Sequence, residues 1–501
     1  MASGVETGRI TTDIPARMDR LPWSRFHWLV VVGLGTVWIL DGLEVTIVGS
    51  MSDALADPNT GLGLDSFDVG FAGAIYVAGA CIGALFFGQL TDRFGRKKLF
   101  LITLGVYTVA TVLTAFSMNP TWYFACRFLT GAGIGGEYAA INSAIDELIP
   151  KKYRGRVDVS INGSFWVGAA GGALLTIPLL DPTLVNQEWG WRAAFGLGAI
   201  LAVGILIVRR NVPESPRWLF IHGRETEGEE IVRDIEGRVI ESSGKQLQSV
   251  SETITIRQRK TIGLGLIART VFTMYPKRTT LCLALFIGQA FLYNAFFFTY
   301  GDTLGEFMGV TQVGYFIAVF AVSNFIGALV LGPLFDTIGR VKMLTGTYVI
   351  SGVLLGITGL TLQSYTAVTL TLMGCIIFFF ASAGASAAYL TASEVFPMET
   401  RALCIAFFYA VGTAVGGIAG PLLFGKLIQL AVDGGEGIEA IALGYYIGAG
   451  LMIAGGIVAA FLGVKAEGQS LESIARPLTA VDDDAGPTGG GQDEHEPQPA
   501  R

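Results

Sequence analysis

Apolar runs of about 20 residues recur along the chain from Phe26 to near Val464, broken by shorter polar connections. Coiled as a helix at ~1.5 Å per residue, such a run matches the roughly 30 Å hydrocarbon core of a bilayer. Twelve are read, at roughly 26–49, 68–90, 99–117, 121–147, 157–180, 191–209, 279–300, 312–335, 343–362, 366–394, 402–425 and 442–464. The pattern predicts an all-α membrane protein with twelve transmembrane helices. Of the 501 residues 51% are hydrophobic and only 15% charged, against about 25% charged in a soluble domain. Sixty-seven glycines agree with helices packed closely in lipid, where small residues let backbones approach.

The net charge of −7 says less than where the charges lie. Lys and Arg gather in alternate connections: Arg9 to Arg25, Arg93 to Lys98, Lys151 to Arg156, Arg209 to Arg278, Arg340 with Lys342, Arg401 and the C-terminal stretch. By the positive-inside rule these connections and both termini are cytoplasmic, which requires an even number of spans. The five cysteines lie in apolar runs without metal-like spacing, so neither a disulfide framework nor a metal site is expected. The first 25 residues lack a signal-peptide pattern and are expected to stay inside. From 466 to 501 the chain turns polar and then Gly- and Asp-rich, which reads as a disordered cytoplasmic tail.

Two motifs occur twice. Gly88, Asp92, Gly95, Arg96 and Lys98 follow the second run as GxxxDxxGRxK, and Gly332, Asp336, Gly339, Arg340 and Lys342 repeat them after the eighth. Glu147, Pro150 and Arg154 match Glu394, Pro397 and Arg401 as ExxPxxxR after the fourth and tenth. The chain therefore divides into an N-terminal segment (1–25), a six-helix half (26–210), a cytoplasmic linker (211–278), a second half (279–465) and the tail (466–501). The linker carries a helical pattern from Glu225 to Ile240 and reads as a solvated connector on the cytoplasmic face.

Together with Arg127, Gly131, Gly133 and Gly135 (RxxxGxGxG) and Pro213 to Leu219 (PESPRWL), these motifs resemble the major facilitator superfamily, and within it the sugar-porter and metabolite:proton symporter groups. The resemblance implies two pseudo-symmetric six-helix bundles, and a cytoplasmic gate of salt bridges among Asp92, Arg96, Glu147, Arg154, Asp336, Arg340, Glu394 and Arg401. The simpler reading of the cations alone is topology signal and helix capping. The usual second-half counterpart of PESPRWL is reduced to Val464 to Gly468, with Leu471 and Glu472 kept.

Ionisable groups at bilayer depth are costly unless paired or wet, and are functional candidates. Asp41 and Glu44 share one face of the first helix at i, i+3, and Arg127 and Glu137 lie on the fourth. Similar depth makes an Asp41–Arg127 ion pair plausible, either as a static pair or as a proton-coupling switch, and the resemblance favours the switch. Asp41-Gly42-Leu43-Glu44 resembles the DGxD of organic-acid symporters, and Gly135-Gly136-Glu137 the GGE of metabolite symporters. Gln289 and Asn294 match part of a sugar-porter signature, and Tyr389 stands where sugar porters carry Trp. Gln289, Asn294, Tyr293, Asn162, Trp166 and Tyr389 are the expected substrate contacts. Gly131, Gly133 and Gly136 spell GxGxxG inside a membrane helix, where close packing accounts for them.

The expected function is secondary active transport by alternating access, a proton-coupled symport of a small organic acid or sugar. A proton-antiport exporter, an uncoupled facilitator or a transporter-like sensor are the alternatives. No enzyme chemistry, cofactor, metal or nucleic acid is implied; the driving ion is expected to be H+, and the partners are the small-molecule substrate and the lipid bilayer. The protein is expected to work as a monomer in the plasma membrane.

Overall fold

A computed structural model describes residues 6–51, 54–55, 61–64, 66–181, 183–209, 212–259, 264–310, 313–433 and 439–478. Twelve long helical segments follow the apolar runs. The first half holds Arg25–Ser50, Ser66–Phe94, Arg96–Ala115, Pro120–Leu148, a fifth built from Arg154–Gly163 and Phe165–Leu179, and Gln187–Arg209. The second holds Pro276–Asp302, Val313–Thr337, Arg340–Thr361, Ala367–Glu394, an eleventh built from Arg401–Gly412 and Ile418–Asp433 across a π-turn, and Glu439–Leu462. Among the described residues, nine are long and apolar enough to cross a membrane. The fourth carries Arg127, Glu137, Asp146 and Glu147, and the fifth is interrupted at Ser164, so neither reads as a uniform apolar span.

Glycine sets how closely the spans cross. A Cβ on Gly131 or Gly135 of the fourth span would lie 2.1 or 2.0 Å from backbone oxygens of the second, at Tyr76 and Ala80. Gly133 faces Tyr107 of the third span and Gly136 faces Phe87 of the second. The GxGxxG pattern is therefore a packing surface presented to two neighbouring helices. Gly42 of the first span and Gly168 of the fifth meet the same way, each with its built Cβ under 2 Å from the other helix's carbonyl oxygen, at Phe165 and Ile39.

Outside the spans, the N-terminal segment, the linker and the stretch after the twelfth span pack together on one face, here called the linker face. Strand β1 (Glu6–Thr12) pairs antiparallel with β2 (Ile254–Arg259), with Ile10 opposite Ile256. The helix Ile14–Asp19 then buries Ile14 and Met18. The linker helix Glu225–Ser243 buries Val232, Ile235 and Val239, spaced to form one stripe, and Pro216–Ile221 is wholly buried. The expectation of a solvated connector is corrected for 216–239, where Pro216–Ile221 and one face of the linker helix are docked; residues 241–253 are mostly exposed. The tail is corrected as well. Leu471 and Ile474 are buried, so the chain stays packed past 466; residues 479–501 lie outside the described residues.

Candidate functional site

The first and fourth spans bring an acid and a set of rings to the junction of the halves. Asp41 is buried and accepts hydrogen bonds from the Tyr76 hydroxyl at 2.8 Å and from the Tyr138 hydroxyl. Among the described residues no Lys or Arg lies within ion-pair distance of it. Tyr138 stacks on Trp38 with centroids 4.6 Å apart, and Trp38 sits one turn from Asp41 on the same helix face. From the second half, Tyr409 lies 4.7 Å and Tyr389 6.3 Å from Tyr138, and Phe286 packs 4.9 Å from Tyr389. Five rings from both halves thus form one connected cluster, which Tyr138 joins to the carboxylate.

A second aromatic contact between halves lies farther along the fifth span. Trp166 packs against Tyr293 at 5.4 Å and Phe320 at 5.7 Å. The Tyr293 hydroxyl donates to Asn324 Oδ1 at 3.1 Å. Gln289 is buried on the seventh span, and Asn294 is half-buried, donating to the Ala290 carbonyl at 2.8 Å. Asn162 turns elsewhere, donating to Asn142 Oδ1 at 3.0 Å and to Asp158 Oδ1 at 2.8 Å.

One turn beyond Asp41, Glu44 forms a buried ion pair with Arg127 at 2.6 Å and accepts from Thr111 at 3.4 Å. The expected Asp41–Arg127 pair is thereby corrected: the partner of Arg127 is Glu44. Two carboxylates at i, i+3 were both within reach, and the axial register of the first and fourth spans selects between them. Glu137 is fully buried and faces the third span, where the Thr103 hydroxyl approaches it at 3.5 Å.

On the linker face, Arg96 pairs with Glu147 at 3.0 Å, and Arg340 with Asp336 and Glu394 at 2.9 and 3.0 Å. Between the halves, Arg154 reaches Glu394 at 4.0 Å, Arg401 reaches Asp146 and Glu147 at 3.8 and 3.9 Å, and Asp336 accepts from the Gly155 and Arg156 backbone at 3.0 and 2.9 Å. The Asp92 side chain lies outside the described residues. Three groups join from outside the repeats: Asp19 at 3.3 Å from Arg154, Arg217 at 3.6 Å from Asp19, and Glu472 at 3.4 Å from Arg217. The glycine-turned starts of the third and ninth spans are capped symmetrically. Glu214 accepts from the Arg96 and Lys97 amides and Glu467 from the Arg340 amide, so the reduced second-half motif keeps its capping acid.

Residues 44–478 match the family model for sugar (and other) transporters. The chain belongs to that family. The niacin transporter NiaP of Acinetobacter baylyi is 29% identical over 473 residues, covering 92% of this chain and 99% of that protein. The 4-hydroxybenzoate transporter PcaK of the same organism is 26% identical over 429 residues, 84% and 90% of the two chains. In fold, the transporter is similar to the proton:xylose symporter XylE bound to 6-bromo-6-deoxy-D-glucose, with a TM-score of 0.72 over 90% of this chain and 98% of that one at 16% identity. The protein is a multi-pass membrane transporter and not an enzyme.

Of the residues singled out in the sequence, the transporter brings Asp41 and Tyr389 to the ring cluster, Glu44 and Arg127 to one ion pair, and Trp166 and Tyr293 to the second inter-half contact. Trp38, Tyr76, Tyr138, Tyr409 and Phe286 were missed. Two carried a signal: Trp38 shares the Asp41 helix face, and Tyr138 stands 11 residues, three turns, from Arg127. Asp19 and Asp146 were missed in the linker-face network because they lie outside the quoted motifs, whereas Arg217 and Glu472 stood in PESPRWL and its second-half counterpart without being assigned to the gate.

Proposed function

We propose that this transporter carries a small ring-bearing acid together with a proton, by alternating access between the two halves. The observation that carries the reading is Asp41: a buried carboxylate that has no ion pair among the described residues and is held by two tyrosine hydroxyls beside rings supplied by both halves. A carboxylate in that setting is costly as an anion unless water reaches it. Binding a proton there, and losing it when the site opens, couples charge to conformation. The rings touch one another, so a flat substrate exchanges ring–ring contacts for ring–substrate contacts at little net cost. The names of the two relatives support this class, since niacin and 4-hydroxybenzoate are both ring carboxylic acids.

The linker face is inferred to be cytoplasmic from its Lys and Arg content. Its ion pairs would then latch the state closed to the inside, and their rupture would admit substrate to the cytoplasm. Asp41 with its tyrosines is the proton site in this reading, and Glu44–Arg127 is the pair that holds the first and fourth spans in register beside it.

Proteoliposomes offered ring carboxylic acids and sugars, with and without an inward proton gradient, test the proposal. Gradient-driven accumulation of a ring acid is expected, and Asp41→Asn should reduce it about tenfold or more while substrate exchange falls far less. Uptake indifferent to the gradient in the unaltered protein would leave a facilitator, and accumulation of sugars alone would refute the substrate class.

A further inference from the structure

Asp158 is a buried acid that neither the ring cluster nor the ion-pair network uses. It is 0% exposed, on the short helix Arg154–Gly163 that opens the fifth span. Its Oδ1 accepts from Asn162 at 2.8 Å, while its Oδ2 has no hydrogen-bond partner among the described residues. No cation pairs with it among the described residues. Charged groups that act on it include Asp146 on the fourth span, Glu394 on the tenth and Arg340 on the ninth, two acids and one cation, and Arg154 stands one turn away on its own helix.

Its helix is one side of the seam between the halves. Three residues before Asp158, Gly155 donates to Asp336; five after it, a Cβ on Gly163 would sit 2.3 Å from Ala328 Cβ, and both partners are on the eighth span. One turn toward the linker face, Arg154 makes the ion pairs that close that face. Toward the ring cluster, Asn162 donates to Asn142, and Asn142 to the Tyr138 carbonyl. Amides of this kind tie Asp158 to the Asp41 partner mechanically without conducting a proton.

We propose that Asp158 is a second proton-carrying group, which holds a proton while the linker face is closed and releases it to water when that face opens. The step breaks the Oδ2–H bond, leaves the carboxylate and transfers the proton to a water molecule. A proton on Oδ2 offsets the cost of a buried anion facing Asp146 and Glu394. Separation of the halves at Gly155 and Gly163 wets the group and removes that cost. Proton loss therefore favours the inward-open state, and proton uptake favours closure. The inference rests on alternating access about the linker face, but not on Asp41 being a coupling site.

The test measures the distance between spin labels on the linker-face ends of the two halves, in the full chain in lipid nanodiscs, from pH 5 to 8.5. In the unaltered protein the inward-open population should rise with pH, by about threefold or more across that range. Asp158→Asn, which cannot ionise, should weaken the dependence severalfold and favour the closed state, and adding Asp41→Asn should remove what is left. Asp146→Asn should retain a dependence, from a more open baseline and with its midpoint at lower pH, because it removes a latch partner of Arg401 and one of the acids acting on Asp158. Unchanged pH dependence in Asp158→Asn, or its loss in Asp146→Asn alone, overturns the proposal. If Asp158→Asn does not fold, Asp158→Glu decides: a displaced midpoint supports the assignment and an unmoved one refutes it. Proton-driven uptake by the unaltered protein, measured in parallel, tests the coupling reading separately. Absent uptake with pH-dependent opening weakened severalfold in Asp158→Asn would refute that reading and support this one.

Discussion

Arg127 and Glu44 are each about 97% buried or more, and each is the other's only ion-pair partner among the described residues. Removing one member leaves the other charged and unpaired in a dry site, which costs of order 3 kcal/mol. Arg127→Gln should therefore lower the thermal unfolding midpoint clearly, and the double variant Glu44→Gln/Arg127→Gln should recover part of the loss. Equal midpoints for the single and double variants would show that the pair is not what holds the first span to the fourth. Neutralising Asp41 removes no ion pair among the described residues, so its effect should fall on gradient coupling rather than on unfolding. That contrast separates two carboxylates three residues apart, which the sequence presents as near equivalents.

At the scale of elements, the crossing of the first and fifth spans depends on Gly42 and Gly168. A methyl at Gly168 would sit 1.7 Å from the Ile39 oxygen, whereas one at Gly171, on the same helix, meets nothing within 4 Å. Gly168→Ala should cost roughly 1–3 kcal/mol by forcing the spans apart, and Gly171→Ala should be neutral; similar unfolding midpoints for the two would contradict the close crossing. The N-terminal segment makes a different kind of contact. Arg17 joins Glu229 and Glu236 of the linker helix at 2.7 Å each, and Arg20 adds a bond to Glu236 at 2.5 Å. Burial pushes the Glu236 carboxyl up, but the hydrogen bonds from Arg17 and Arg20 outweigh it and hold it below the ordinary carboxylate value. A lowered value means that the clamp's stability is present above the unfolded carboxylate pKa, about 4.3, and is lost as pH falls through the folded one. Hydrogen-exchange protection of residues 10–21, corrected for intrinsic rates, should be level from about pH 8 to 5 and fall only below about 4. A loss near neutral pH would contradict it.

For the whole molecule, the question is what keeps the linker face closed. Arg401 is fully buried at the junction: it reaches Asp146 and Glu147 of the other half and donates to the Ser393 carbonyl at 2.6 Å. Beside it, Ala406 is 1% exposed, with its Cβ 2.8 Å from where a Cβ on Gly88 of the second span would lie. A cysteine replacing Ala406 should be shielded while the face is closed. Arg401→Gln should raise its alkylation rate about fivefold, a shift of roughly 1 kcal/mol toward opening. An unchanged rate would reduce the network to a structural role.

Much of the architecture was legible from the chain alone, because in lipid every backbone polar group must be satisfied within its own segment. Run length, the positions of Lys and Arg, and the two repeated motifs are local or periodic properties, and they led to twelve helices, two related halves and most of the linker-face charges. Asp41, Arg127 and Glu44 stood out because a charge in an apolar run is rare whatever surrounds it. Partner choice was not legible. Whether Arg127 meets Asp41 or Glu44 depends on how far one helix slides along another, set by glycine contacts such as Gly42 with Gly168. Phe286, Tyr389 and Tyr409 reach the cluster from the second half, more than 200 residues from Asp41, and Phe286 and Tyr409 look like ordinary apolar positions in sequence. The docked linker, the β1–β2 pair and the buried Glu472 likewise arise from surfaces that exist only once the helices are assembled.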